Sequence, residues 1–220
     1  MRHYPVGECG LTVEFGKAID PQLNQRALAV SEKVRTAGFE WLIDCVPSYA
    51  SVTVFFDLIQ IQNLTYTSAQ DTVLKAVIDI VRETSNDPAE NTSTFDVPVR
   101  FGGDHGPDME TVCEHNGLTE TEAVELFLSR EYRVYLLGFL PGFAYMGTLD
   151  RRVATPRLNN PRQVVKAGSV GIAGRQTGIY PLDSPGGWRI IGRTELPLFT
   201  PHEEKPVLFS PGDKVRFSAV

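Results

Sequence analysis

The sequence is poor in the residues that build metal sites and disulfide frameworks. Its 220 residues include three cysteines, Cys9, Cys45 and Cys113, which lie far apart without CxxC spacing. Neither a disulfide framework nor a structural zinc site is therefore expected. The four histidines are scattered, and none has metal-ligand spacing to another. We expect no metal ligand set in this chain, and we interpret the cysteines as small buried apolar residues, not nucleophiles, of a protein in a reducing cytoplasm.

Long hydrophobic segments and several familiar catalytic motifs are also absent. No apolar run approaches the length that spans a bilayer, and the first ten residues lack the apolar centre of a signal peptide. There is no GxxxxGK(S/T) phosphate loop, no HExxH and no GxSxG. The net charge of −6 and a pI of about 5.3 disfavour general nucleic-acid binding. These absences favour a cytoplasmic protein that binds neither membranes nor nucleic acid.

Positive charge is concentrated in residues 151–193. This segment carries seven arginines and one lysine against one acidic residue, which gives +7, so the rest of the chain must sum to −13. Glycines and prolines there are interleaved with β-branched residues, a pattern typical of short buried strands joined by tight turns. Guanidinium groups are planar, permanently charged and able to bind an oxyanion through two hydrogen bonds. We expect these arginines to converge on one pocket for a small anionic substrate.

The first 84 residues alternate between strand and helix patterns. A strand pattern at 11–15 precedes a helix that begins at Asp20-Pro21, and two short strands then precede a second helix after Ser68. The order β-α-β-β-α predicts a small α+β sandwich of the split-βαβ, ferredoxin-like kind. Residues 85–94 are mostly polar and predict a linker.

Residues 95–220 change from a mixed pattern to a β-rich one. A strand at 95–101 is followed by two short helices, the second marked by Thr119 and Glu122 at capping-box spacing. From Tyr132 to the end, short strand patterns alternate with turns. This spacing predicts a small barrel or sandwich.

Polar residues directly follow a glycine-rich stretch at 168–174. That stretch either cradles an anion with backbone N–H groups or forms a strand that another backbone approaches closely. The next six residues bring a cation, an amide, a hydroxyl and a phenol together, and burying such groups is costly unless they are paired or face a ligand. We predict a catalytic set formed by Arg175, Gln176, Thr177 and Tyr180.

Arginines that directly follow prolines supply further candidates. Proline restricts the backbone, so the next side chain is aimed with less loss of entropy, although a solvent-facing arginine is the simpler alternative. An indole at a strand start either stacks on a planar ligand or fills the core. We predict a substrate-binding set that comprises Arg157, Arg162, Ser169, Trp188 and Arg193.

An aromatic, glycine-bounded loop spans residues 138–147. It is either an exposed interface or pocket lid, or a packed Ω-type loop. For the exposed alternative, the predicted interface residues are Phe139, Pro141, Phe143, Tyr145 and Met146.

Long segments in a fixed order resemble one known family. They are GECGLTVEFG (7–16), GGDHGPDMETV (102–112), GFLPGFAYMGTL (138–149), TPRLNNPR (155–162), AGSVGIAGRQTGIYPLDSPGGWRIIGRT (167–194) and FSPGDKVRF (209–217). The chain resembles the allophanate hydrolase subunit 1 family of carboxyltransferase subdomain C/D type. That family also contains the B-type subunit of 5-oxoprolinase and an inhibitor of a sporulation histidine kinase. Where the family usually reads PAGSV, this chain has Lys166, which marks either altered specificity or a surface substitution.

The resemblance implies both an architecture and a role. It implies an N-terminal α+β domain, here 1–84 before the linker at 85–94, and a cyclophilin-like β-barrel domain at 95–220. It also implies one subunit of an ATP-dependent hydrolase complex that opens 5-oxo-L-proline to L-glutamate. ATP would act at the level of the complex.

The resemblance further implies partners and alternative roles. The partners would be the homologous C-type subunit of 5-oxoprolinase and its A-type subunit, and the chain alone would be inactive. The alternatives are an inhibitor of a histidine kinase and the carboxyltransferase half-site of an allophanate hydrolase or urea carboxylase system.

Overall fold

A computed structural model describes residues 1–64, 68–84 and 92–220, without the side chains of 62–64. The chain divides into two compact units, Met1–Glu90 (unit 1) and Asn91–Val220 (unit 2). Helices and sheets occur in both units, and a closed barrel forms in unit 2, so the predicted α+β class with a barrel domain is confirmed. Most of the predicted linker lies outside the described residues.

Unit 1 combines a four-stranded antiparallel sheet with helices. Its elements are β1 (Arg2–Pro5), β2 (Gly10–Glu14), α1 (Pro21–Thr36), β3 (Leu42–Pro47), β4 (Ser51–Phe56), α2 (Leu58–Leu64) and α3 (Ala69–Glu83). The sheet order is β1-β2-β4-β3, so the N-terminal strand occupies one edge. No sequence pattern predicted β1, because all four of its residues are exposed and it lacks an alternating apolar pattern.

The predicted helix starts of unit 1 are confirmed by their capping contacts. The Asp20 carboxylate accepts hydrogen bonds from the backbone N–H groups of Gln22 (2.8 Å) and Leu23 (3.0 Å) at the start of α1. The Ser68 hydroxyl accepts one from the N–H of Asp71 (3.3 Å) at the start of α3. Such contacts satisfy backbone donors that have no partner inside the helix.

Unit 2 is built around a closed barrel of seven strands. Its elements are β5 (Thr94–Phe101), α4 (Met109–Asn116), α5 (Glu120–Leu128), β6 (Tyr132–Leu137), β7 (Ala144–Gly147), a 3-10 turn (Arg151–Val153), β8 (Arg162–Val165), β9 (Ser169–Ala173), β10 (Gln176–Ile179), β11 (Ser184–Gly186), β12 (Arg189–Arg193) and β13 (Lys214–Ala219). The barrel order is β10-β7-β6-β13-β5-β12-β9, and β8 pairs with β11 in a separate two-stranded sheet. Strands β5 and β13 are parallel, whereas the other barrel pairs are antiparallel.

The interior of unit 2 is apolar and includes side chains from both the strands and the helices. Its buried cluster includes Val97, Val134, Met146, Ile172 and Val215 from the strands, together with residues of α4 and α5. The capping box at the start of α5 is present, as predicted. Among the short strand patterns expected after Tyr132, residues 207–209 form no strand and contribute one isolated bridge, between Val207 and Phe199.

The buried carboxylate of Asp213 ties the two ends of unit 2 together. It accepts hydrogen bonds from the backbone N–H groups of Ser93 (3.0 Å) and Ser210 (2.7 Å). Replacing Asp213 with alanine should lower the free energy of unfolding by about 2–4 kcal/mol, because both bonds to a charged acceptor are lost. Urea denaturation would measure this loss. The exposed Asp104→Ala variant should change stability by less than about 0.5 kcal/mol, and an equal loss in the two variants would contradict the assignment.

Candidate functional site

A cavity of about 270 Å³ opens on unit 2, and its wall is mainly aromatic. We call it the aromatic cavity. Of the described lining residues, Arg157 alone carries a formal charge. The lining residues are Phe139, Phe143, Tyr145, Arg157, Pro161, Tyr180, Pro185, Gly186, Gly187 and Trp188.

The wall is held by edge-to-face packing around Phe143. The centroid of its ring lies 4.8 Å from that of Tyr145, 5.1 Å from Tyr180 and 5.5 Å from Trp188, with interplanar angles of 61°, 80° and 89°. Phe143 is buried. Edge-to-face pairs at these distances are favourable and fix the relative orientation of the rings. The two phenols and the indole are therefore positioned before any ligand binds.

Two glycines allow Trp188 and Tyr180 to pack directly against the backbone. A side-chain carbon added at Gly171 on β9 would come within 3.0 Å of the Trp188 Cβ. One added at Gly186 on β11 would come within 2.5 Å of the Tyr180 hydroxyl. The glycine-rich stretch is therefore a strand that another segment approaches closely, and of the two alternatives read from the sequence, this is the one that the structure shows.

Arg157 places a positive charge against the aromatic wall. Its guanidinium carbon lies 5.7 Å from the centroid of the Trp188 ring, a cation–π distance, and the side chain is exposed. A cation–π contact of this kind leaves N–H groups of the guanidinium available for hydrogen bonds to an anion. The arrangement suits a ligand that carries a carboxylate and a compact apolar body.

A buried carboxylate, Asp108, anchors the segments behind the cavity. Its two oxygens accept the backbone N–H of Ile190 (2.6 Å) and Nη2 of Arg162 (2.8 Å), and Arg189 lies 3.9 Å away. Arg162 is the register partner of Gly186 in the β8–β11 sheet. Its Nη1 atom is buried without a hydrogen-bond partner in the described part of the chain. Asp108 was not among the predicted site residues, and its position within GGDHGPDMETV (102–112) was the available signal.

Both phenols of the cavity remain protonated at neutral pH. Burial raises the pKa of Tyr180, against a smaller lowering by a backbone hydrogen bond with Trp188. Burial also raises the pKa of Tyr145, and the charge of Arg157 partly opposes it. A neutral phenol can donate a hydrogen bond to a carbonyl oxygen.

The structure does not bring the arginines of residues 151–193 together on one pocket, as the four predicted site arginines show. Arg157 lines the aromatic cavity and Arg162 is bound to Asp108 behind it, but Arg193 lines a different cavity. Arg175 is exposed at the turn between β9 and β10, where its Nε lies 3.4 Å from the carbonyl oxygen of Leu149. Because β10 is extended, Arg175 and Tyr180 lie roughly 15 Å apart along the chain.

The remaining predicted site residues are also dispersed. Thr177 is buried on β10, where its hydroxyl donates to the Gly171 carbonyl (3.0 Å), and Gln176 is half-buried at the start of that strand. Ser169 is buried on β9. The catalytic set expected from adjacency in sequence is therefore divided along β10, because neighbouring residues of a strand point to opposite faces.

The loop at 138–147 is partly packed and partly exposed. Phe139 is 61% exposed, and Pro141 is also exposed. Phe143 is buried in the aromatic wall, and Met146 is buried inside unit 2, so these two residues cannot form the predicted contact surface. Tyr145 is half-buried and lines the cavity. Lys166 is exposed and paired with Asp183 at 2.8 Å.

Comparison with known proteins places the chain in a family. It belongs to the carboxyltransferase domain family, subdomain C and D, whose model matches residues 1–209, which confirms the resemblance seen in the sequence. Among its relatives is the B-type subunit of 5-oxoprolinase from Bacillus subtilis (strain 168), which is 38% identical over 215 residues, 96% of this chain and 90% of that protein. The B-type subunit of 5-oxoprolinase from Escherichia coli O157:H7 is 37% identical over 218 residues, 98% and 94% of the two chains.

A solved structure is similar to this chain in fold. The crystal structure of TTHA0988 aligns with a TM-score of 0.81 at 33% identity, over 96% of this chain and 39% of that one. Within the described ranges of this chain, no three His, Cys, Asp or Glu side chains are grouped as metal ligands, and none of the helices has the length and apolarity of a membrane span.

The raised pKa of Tyr180 predicts a loss of stability in alkali. A phenol whose pKa is higher in the folded chain than the usual 10 stabilises the fold fully below pH 10. The stabilisation is lost as the pH rises through the folded-state pKa, by up to about 1.4 kcal/mol per pH unit for each such group. Urea unfolding between pH 8 and 11.5 should show this decline, with a shallower slope for Tyr180→Phe. Identical slopes for wild type and Tyr180→Phe would contradict the prediction.

Proposed function

We propose that this chain is the B-type subunit of an ATP-dependent 5-oxoprolinase that opens 5-oxo-L-proline to L-glutamate. The observation that carries the proposal is the aromatic cavity, in which Arg157 meets Trp188 and two protonated phenols. The near full-length relatives, both named as 5-oxoprolinase subunits of the B type, support it.

The chemistry of 5-oxo-L-proline matches this wall. Its carboxylate would bind the guanidinium edge of Arg157, a charge-assisted contact. Its small lactam ring would pack on the Trp188 indole, and the lactam carbonyl would accept a hydrogen bond from the Tyr145 or Tyr180 hydroxyl. A donor aimed at that oxygen would stabilise the negative charge that develops there during ring opening.

The cavity fits the binding half of a shared site. Its described lining residues include no Ser, Cys, His, Asp, Glu or Lys side chain to act as nucleophile or general base. We propose that partner subunits of the C type and the A type supply those groups, that ATP is used at the level of the complex, and that the chain alone is inactive. Phe139 and Pro141, both exposed at the loop 138–147, would meet the partner.

We also propose that unit 1 is the split-βαβ, ferredoxin-like domain and that the barrel of unit 2 is cyclophilin-like, with the domain bounds 1–84 and 95–220. The position of β4 between β2 and β3 in the sheet of unit 1 supports the first assignment. We place the complex in the cytoplasm.

A second candidate function is half of a carboxyltransferase site. The observation in its favour is the match to a carboxyltransferase domain family over residues 1–209. In that case the same cavity would bind urea or a carboxylated product, and a biotin-bearing protein would be the partner.

Arg157→Gln should lower kcat/KM for 5-oxo-L-proline in the assembled complex by about ten- to a hundredfold, because one charged hydrogen-bonding group is lost. Arg157→Lys should restore part of the loss. Arg216→Gln, which removes an exposed arginine from β13, is the matched control and should leave kinetics unchanged. Equal kcat/KM values for Arg157→Gln and wild type would remove Arg157 from the site.

Reconstitution tests the requirement for partners. Glutamate release from 5-oxo-L-proline should be undetectable with the purified chain and should appear, together with ATP hydrolysis, when the A-type and C-type subunits are added. Transfer of a carboxyl group from carboxybiotin to urea, without glutamate release, would instead establish the second candidate. Full glutamate release by the chain alone would contradict the shared site.

A further inference from the structure

A second cavity of unit 2, of about 400 Å³, collects positive charge away from the aromatic cavity. We call it the basic cavity, and its described lining shares no residue with that of the aromatic cavity. It is lined by Pro98, Arg100, His105, Arg193, Glu195 and Val220.

Two of its arginines face each other across neighbouring strands. Arg193 on β12 is the direct register partner of Arg100 on β5. Both side chains are exposed, whereas the preceding residues, Gly192 and Val99, are buried, so both arginines point out of the barrel. The Cβ atoms of residues directly opposite each other on neighbouring strands lie about 5 Å apart, and like charges at such positions destabilise the strand pair.

The acidic groups nearby neutralise this pair weakly. Arg100 lies 3.7 Å from the carboxylate of Glu195, whose side chain is 84% exposed. Arg193 donates from Nε to the Ala167 carbonyl oxygen at 3.0 Å. Asp183 is within electrostatic range of Arg193, but its carboxylate already accepts bonds from Lys166 and the backbone N–H of Ala167, both at 2.8 Å.

Arg216, on the neighbouring strand β13, is by contrast close to two acidic side chains. Arg216 on β13 lies 2.6 Å from the Glu131 carboxylate and 3.5 Å from that of Asp96. Arg216 is therefore paired with two acids, whereas Arg100 has one long, exposed ion pair with Glu195. Within the described residues, Arg193 has no acidic partner at ion-pair distance.

We propose that the basic cavity binds a phosphate-bearing anion through Arg100 and Arg193, with His105 as a further contact. Guanidinium forks match the geometry of phosphate oxygens, and an anion between them would relieve the repulsion across β5 and β12. The volume exceeds that of a single phosphate and lies in the usual range of ligand sites, which favours a polyphosphate group. The site is independent of the proposed function, because it uses other residues and is tested on the isolated chain.

Calorimetric titration of the full chain with pyrophosphate at low ionic strength tests the proposal. Binding should weaken about tenfold or more in Arg100→Gln and in Arg193→Gln, and it should be lost in the double variant. Arg216→Gln removes the same charge from the neighbouring strand and should bind as wild type does. Arg157→Gln should also bind pyrophosphate as wild type does. The result is therefore independent of whether the aromatic cavity binds 5-oxo-L-proline. Circular dichroism would establish that each exposed substitution leaves the fold intact.

The source of the polyphosphate is distinguished by comparing ligands. Equal affinities for tripolyphosphate and ATP would identify the phosphate chain alone as the ligand, whereas tenfold tighter binding of ATP would identify a nucleotide. Either result supports the site if pyrophosphate binding is also weakened in Arg100→Gln and Arg193→Gln. Absence of pyrophosphate binding at millimolar concentration, or equal binding by wild type and the double variant, would overturn it.

Discussion

The buried carboxylate of Asp108 is the constraint on which the proposed site depends. It binds the backbone N–H of Ile190, 82 residues later, and the guanidinium of Arg162, 54 residues later. It therefore joins the start of α4 to β12 and β8. A carboxylate that is only 4% exposed would be costly without partners, and the Arg162 and Arg189 charges together with one backbone donor compensate it. Removing it would leave Arg162 with its charge partly buried and unpaired.

The contacts of Asp108 hold the aromatic wall of the cavity in place, and the exposed Arg157 side chain adds one positive charge to it. Trp188 directly precedes β12, and Gly186 pairs with Arg162, so the contacts of Asp108 hold both sides of the aromatic cavity. Phe143 locks the rings against one another, whereas Arg157 stays exposed at the indole face. In the proposed site, a preformed wall would lower the entropy lost on binding, and the arginine would supply the selectivity for an anion. The absence of a base among the described lining residues fits a site completed by another protein of the proposed complex.

Local sequence patterns predicted much of the fold. They did not predict which residues from distant parts of the chain come together. The capping pair Thr119 and Glu122 is a short-range contact, so its spacing in sequence was sufficient to predict a helix start. The arginines were different, since charge density along the chain does not say which end of a strand each residue occupies. Arg175 and Tyr180 are separated by the length of β10, although they are near neighbours in sequence. The role of Asp108 depends on partners more than 50 residues away, which composition and periodicity cannot indicate.

The most direct test of this account is a crystal structure of the assembled complex with 5-oxo-L-proline bound. We expect the lactam ring against Trp188, its carboxylate within about 3 Å of the Arg157 guanidinium, and its carbonyl oxygen at a hydrogen-bond distance from a phenol of the cavity. A ligand bound elsewhere, with the aromatic cavity empty or filled by a partner side chain, would contradict the central claim.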